Sequence, residues 1–159
     1  KYMQQNQKAS ITGIGSYLPS KVLTNYDLEK MVDTSDDWII QRTGIKERRI
    51  VENGQITSDL ATYASLRAME DAGVSPGDLD MIITSTITPD HIFPSTSCYI
   101  QQKIGASRAS AFDILAACAG FIYALSVGES FVNSGAMKTV LVVGAECLSK
   151  ITDYLGSNK

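Results

Sequence analysis

Cys118 is the residue of this 159-residue chain whose chemistry and setting invite attention first. It stands among Ala116, Ala117, Ala119 and Gly120, neighbours small enough to let other atoms approach a thiol closely. Upstream, Ala111–Leu115 reads as a short strand. Downstream, Ala119–Asn133 reads as a helix of about four turns, with Gly135 placed to close it. The thiol therefore falls at a strand-to-helix junction, where free backbone N–H groups and the helix macrodipole favour the thiolate. A buried cysteine at such a turn is a candidate acylatable nucleophile. The competing reading is a small core hydrophobe, because free cysteine is among the most buried residue types. From Ile114 to Leu125 there is no charged residue. The helix is apolar on every side, which predicts that it lies inside the protein.

A second constellation sits earlier. Ser35 is placed to cap a helix, SDDWIIQRTG, with Asp36 and Asp37 in its first turn and Gly44 at its end. Trp38 and Arg42 lie four apart and so share a face. An indole beside a guanidinium could receive a flat ring or a phosphate. On the residues alone, the pair reads first as a surface cation–π contact that only anchors the helix.

Other chemistries find little support. The single histidine, His91, has no His, Cys or carboxylate cluster at ligand spacing, so no metal site is expected. Cys98, Cys118 and Cys147 form no C-x-x-C pair, and Cys98 and Cys147 are assigned to structure. The expected setting is reducing and cytoplasmic. A net charge of -3 gives no electrostatic case for nucleic acid. No apolar run approaches the ~20 residues of a membrane span, and the polar leader at residues 1–8 has no signal-peptide character. Gly13 and Gly15 resemble a dinucleotide loop only superficially. Leu18 occupies the third glycine position and Pro19 interrupts the helix that should follow.

The elements that must position these residues follow in order. Ala9–Tyr17 is expected as a strand whose glycines permit close packing. Asn25 is expected to cap a short helix, NYDLEKMV. Ile45–Val51 reads as a charged strand, at an edge or in a hairpin turning at Asn53-Gly54. Ser58 is expected to cap a helix ending at Ala72, with a stop at Gly73. Ser75–Asp78 is a turn, Met81–Ile87 a strand, and TPDHIFPSTS a loop. Ser95–Ile104 is a helix closed by Gly105, and Thr139–Gly144 is a strand. Helices alternate with apolar strands, the pattern of an α/β fold with a mainly parallel sheet covered on both faces. The elements are too few to cover helix 119–133 on all sides, and the chain reads as half of a larger fold.

Taken together, GIGSYLP, TNYDLEKMVDTSDDWIIQRTGI, HIFPS, FDILAACAGFIYAL and SGAMKTVLVVGAE resemble the N-terminal half of the β-ketoacyl-acyl-carrier-protein synthase III family. The likeness runs over residues 9–154, while 155–159 departs from it. The resemblance implies a thiolase-like fold, layered αβαβα, of which this half supplies a mixed, mainly parallel sheet and a buried central helix starting at Cys118. It implies that Cys118 is the nucleophile, taking an acetyl or other acyl group from coenzyme A. Trp38 and Arg42, with Thr34 nearby, match residues that hold the nucleotide end of coenzyme A. Phe93 matches a residue that one subunit lends to its partner's acyl pocket, so a homodimer is implied. Malonyl-acyl carrier protein would then condense with the acyl-enzyme to give a 3-oxoacyl product. No permanently bound cofactor is implied. The family's catalytic histidine and asparagine belong to its second half, and His91 does not match that histidine. The chain alone is therefore expected not to condense malonyl groups. Alternatives are a related starter or polyketide-type condensing enzyme with another primer, or a non-catalytic half acting as a dimerisation module.

Overall fold

A computed structural model describes residues 8–154 and divides them into two units. Residues 1–7 of the expected polar leader, and 155–159, the tail expected to depart from the resemblance, lie outside the described residues.

The smaller unit comprises Leu18–Gln55 and the segment from Cys147 onward. It begins with strand β1 (Lys21–Thr24), followed by helices α1 (Asn25–Glu29) and α2 (Asp36–Thr43) and strand β2 (Glu47–Ile50). Thr24 caps α1, one residue before the expected Asn25. Its hydroxyl accepts the Asp27 N–H, and the Asp27 carboxylate accepts both the Thr24 hydroxyl and its N–H. Those bonds, the hydroxyl's first, hold the Asp27 carboxyl below its ordinary range. Asn25 is instead buried. Its side-chain amide donates to Asp36 Oδ1 and to the Ile45 carbonyl, tying α1 to both ends of α2. The residues 30–32 expected to continue α1 fall outside it.

α2 matches its sequence signals. The Ser35 hydroxyl accepts the Trp38 N–H, and Gly44 ends the helix in the left-handed region at φ +70°. β2 does form, but not as a hairpin through Asn53-Gly54. It pairs antiparallel with β1, Lys21 opposite Ile50 and Thr24 opposite Glu47. The partner strand precedes α1, a non-local pairing that turn signals do not encode.

The larger unit carries α3 (Thr57–Ala72), β3 (Met81–Ser85), α4 (Thr96–Ile104), β4 (Ser110–Ile114), α5 (Gly120–Asn133) and β5 (Val140–Gly144). The three strands are parallel in the order β4-β3-β5, with Met81 opposite both Ser110 and Val140. Alternation along the strands splits the core in two. Ile82, Leu141 and Val143 join Ala61 and Met69 of α3 and Ile100 and Ile104 of α4. Met81 and Ile83, with Phe112, Val140 and Val142, pack instead against Ala124, Val127 and Phe131 of α5. Each fully buried isoleucine here contributes about 1.5–3 kcal/mol.

Three expectations are corrected in this unit. Ile56, not Ser58, occupies the cap position of α3, and the Asp59 carboxylate accepts the Ile56 N–H. Ser58 is buried inside the first turn, where its hydroxyl accepts from the Lys103 ammonium. Residues 9–17 form no strand. Side chains serve this segment where a ladder would have: Asn133 Oδ1 accepts the Ala9 N–H, Asp71 Oδ2 accepts the Ile14 N–H, and Arg67 donates to the Ser16 carbonyl. The glycines do permit close packing, but against a helix. A Cβ on Gly13 would stand 2.5 Å from the Ala68 carbonyl oxygen and the Ala72 nitrogen. Finally, α5 is not enclosed. Only Gly120, Ala124 and Gly128 are buried, while Phe121, Ile122 and Tyr123 are exposed.

Candidate functional site

The turn that carries Cys118 begins where β4 ends. Ala117–Ala119 make a single 3₁₀ turn that runs into α5 at Gly120, so α5 begins two residues later than a helix starting at Cys118 would. Ala117 has φ +46°, the sole non-glycine positive φ among the described residues. An alanine in the left-handed region costs about 1–2 kcal/mol against the ordinary helical basin. That strain falls on the residue directly before the thiol. Cys118 itself is exposed, not buried as its apolar surroundings predict. The turn follows the carboxyl end of β4.

The strand ends fit closely around this turn. A Cβ on Gly120 would overlap the Ser85 hydroxyl at the end of β3 and come within 3.2 Å of Ser85 Cβ. A Cβ on Gly144, the last residue of β5, would meet the Phe121 ring at 3.0 Å. Gly120 and Gly144 thus let the first turn of α5 descend onto the sheet. Crevices at the carboxyl ends of parallel strands are where open α/β sheets place their ligands.

Phe93 is carried by the loop joining β3 to α4. Both it and Ile92 are almost wholly exposed, at 88% and 99%. The loop is nonetheless tied along its length. Glu146, just past β5, accepts the Ile87 N–H at 2.9 Å and the hydroxyls of Thr88 at 2.6 Å and Thr86 at 3.3 Å. Asp90 Oδ1 accepts the Ser58 N–H at the start of α3. At the far end, Asp113 of β4 accepts the N–H groups of Thr96 and Ser97 at 2.6 and 2.8 Å. Sequence reading missed Glu146 and Asp113. Asp113 had one available signal, a lone carboxylate in an otherwise apolar strand.

His91 stacks at 5.6 Å from Tyr99, and no cluster of three or more potential metal ligands occurs among the described residues. No described helix is long and apolar enough to cross a membrane. Cys147 is buried, and Cys98, partly buried, accepts a bond from the Ser95 hydroxyl.

In the smaller unit, the Arg42 guanidinium lies 4.7 Å from the centroid of the Trp38 ring, as their spacing predicts. The ring is about half exposed. Thr34 is partly buried and directly precedes the Ser35 cap. The structure brings Trp38, Arg42 and Thr34 together at one helix and places Cys118 and Phe93 in the larger unit.

Comparison with known proteins gives a consistent result. Residues 112–159 match the family model for 3-oxoacyl-[acyl-carrier-protein] synthase III. The chain is 61% identical over 150 residues to the β-ketoacyl-[acyl-carrier-protein] synthase III of Caldanaerobacter subterraneus subsp. tengcongensis, covering 94% of this chain and 45% of that protein. Among solved structures it is similar to the 3-oxoacyl-[acyl-carrier-protein] synthase III of Aquifex aeolicus. That match has a TM-score of 0.89 at 53% identity, over 94% of this chain and 48% of the other. The priming β-ketosynthase of the R1128 polyketide pathway superposes with a TM-score of 0.90 at 35% identity, over 99% of this chain and 48% of the other. The chain thus spans about half the length of the curated relatives it matches. Its fold is that of the thiolase-like condensing enzymes. By sequence and by fold, the chain belongs to the β-ketoacyl-[acyl-carrier-protein] synthase III family, as its N-terminal half.

Proposed function

We propose that the full-length protein transfers an acyl group from coenzyme A to Cys118 and condenses it with malonyl-acyl carrier protein, starting fatty-acid synthesis. The observation that carries this reading is the exposed Cys118 on its strained turn at the carboxyl edge of a parallel sheet, in a chain of this family.

The Cys118 sulfur attacks the thioester carbonyl of acyl-CoA, forming a new carbon–sulfur bond. The bond to the coenzyme A sulfur breaks, and that thiolate leaves and takes up the proton the cysteine lost. A thiolate serves as both nucleophile and leaving group, so one condensation becomes two easier steps. Backbone N–H donors at the turn would stabilise the developing oxyanion. Trp38 and Arg42, with Thr34, are the residues assigned to the nucleotide end of coenzyme A. Phe93 is assigned to the acyl pocket of a partner subunit, which makes the working protein a homodimer, located in the cytoplasm. The malonyl group loses carbon dioxide, and the carbanion so formed attacks the carbonyl of the acyl-Cys118 thioester. The carbon–sulfur bond breaks with the Cys118 thiolate leaving, and the groups that assist this step belong to the second half of the family's fold.

Intact mass spectrometry before and after acetyl-CoA tests the reading on the full-length protein. A gain of one acetyl group, mapped to Cys118 and absent from Cys118→Ser, is expected. No adduct with any acyl-CoA offered would overturn it in favour of a non-catalytic module. The likeness to a priming ketosynthase favours a second reading with a different primer. Labelling by a longer or branched acyl-CoA in preference to acetyl-CoA would select it.

A further inference from the structure

The loop from Thr86 to Ser95 combines two properties that seldom occur together. Its tip presents Ile92 and Phe93 to solvent, a costly arrangement for large apolar side chains unless something apolar meets them. Exposed loop tips are ordinarily the mobile part of a domain. Here Glu146 accepts the Ile87 N–H at its start, the loop's own Asp90 accepts the Ser58 N–H of α3 in its middle, and Asp113 accepts the first N–H groups of α4 just past its end. Thr57 reinforces this by donating its hydroxyl to the Thr88 carbonyl.

Glu146 and Asp113 hold the two ends. Glu146 spends both oxygens on the first residues of the loop, with Thr88 Oγ1 and Ile87 N–H the closest contacts. Asp113 spends both oxygens on the first two N–H groups of α4, and the Ser97 hydroxyl returns a bond to the Phe112 carbonyl beside it. Charged acceptors form the stronger class of hydrogen bond and fix geometry as well as energy. Asp113 also lies on the strand that runs directly into the Cys118 turn. One carboxylate therefore ties the first turn of α4, where the Phe93 loop ends, to the strand that leads into the Cys118 turn.

We propose that Glu146 and Asp113 are positioning residues that pre-set the Phe93 loop and thereby fix which acyl chains the pocket it completes admits to the partner subunit's Cys118. The proposal rests on the acyl-transfer reading above. Neither residue touches the reacting atoms. Their effect is on selectivity, because a loop held to a fraction of an ångström discriminates chain length and a loose one does not.

Glu146 gives the cleaner test, since its three bonds all go to residues 86–88. In the full-length protein, the rates of Cys118 acylation by acetyl-CoA and hexanoyl-CoA are compared for wild type, Glu146→Gln, Glu146→Asp and Asp113→Asn. Amide hydrogen exchange at Ile87 and melting temperature are read alongside. Glu146→Gln should lose Ile87 protection and change the acetyl-to-hexanoyl rate ratio at least fivefold. Glu146→Asp should restore the ratio partly, and Asp113→Asn should shift it in the same direction. An unchanged ratio in folded Glu146→Gln, whether or not its melting temperature falls, would overturn the proposal and leave both carboxylates structural. Wild type that forms no acyl-enzyme at Cys118 would instead overturn the acyl-transfer reading on which the proposal stands.

Discussion

The two faces of the β4-β3-β5 sheet differ in how completely they are covered. On one, α3 and α4 close over Ile82, Leu141 and Val143, and the cluster consists almost entirely of buried residues. On the other, Ala124 is the one side chain of α5 fully buried with Met81 and Ile83, while its first turn leaves Phe121, Ile122 and Tyr123 in the open. Closed packing serves stability. The open face is apolar where a finished domain would be polar, and it adjoins the turn carrying Cys118. The difference separates residues that hold the fold from residues kept for something else to meet.

Substitution should expose that division. Ile100→Ala, on the closed face, removes side-chain atoms from a fully buried site and should cost about 2–5 kcal/mol in urea unfolding of this chain. Ile122→Ala, on the open face, should cost about 0.5 kcal/mol or less. Equal losses would break the comparison. Repeating the pair in the full-length protein sharpens it, because Ile122→Ala rises toward the core value only if that face becomes covered.

An intermediate effect is expected at the join between the faces. Gly120→Ala drives a methyl group into buried Ser85 and should cost about 1–3 kcal/mol by overpacking. Ser85→Ala should recover part of that loss, and a strictly additive double mutant would show that the close approach is not what matters.

The smallest effect is electrostatic. Asp80, directly before β3, accepts the N–H groups of Thr139 and Lys138, and these bonds, Thr139's first, hold its carboxyl below the ordinary 3.8. A lowered folded-state value means stability that is complete above about pH 4 and is lost as pH falls through the folded value. Asp80→Asn should therefore cost about 1 kcal/mol or less at neutral pH. The gap from wild type should narrow below pH 3.8, and a gap independent of pH would refute the assignment.

Periodicity and caps were enough for much of this architecture. Gly44, Gly73 and Gly105 stop their helices in the left-handed region, as their positions predict. The continuous apolar runs of β3 and β5 are parallel strands. Failures occurred where a distant partner decides the outcome. Nothing local in Asn25 shows that its amide will be buried between Asp36 and Ile45. Nothing in ASITGIGSY shows that α3, not another strand, receives its glycines. At the candidate site, the thiol and the Trp38/Arg42 pair are legible because helical spacing and residue type suffice. The strain at Ala117 is not, since alanine is a poor advertisement for a positive φ. Glu146 reaches the Phe93 loop through a register that only the folded sheet creates.

That register also has a consequence for how the polypeptide is made. β3 is central, yet both of its neighbours are synthesised after it, β4 first and β5 last. During translation the middle strand emerges with two bare edges and can acquire its second only once Gly144 has left the ribosome. Non-local parallel pairing is intrinsically slow to form and leaves unpaired edges open to aggregation. Until then MIITS, buried at every position in the folded chain, is the segment most in need of a chaperone.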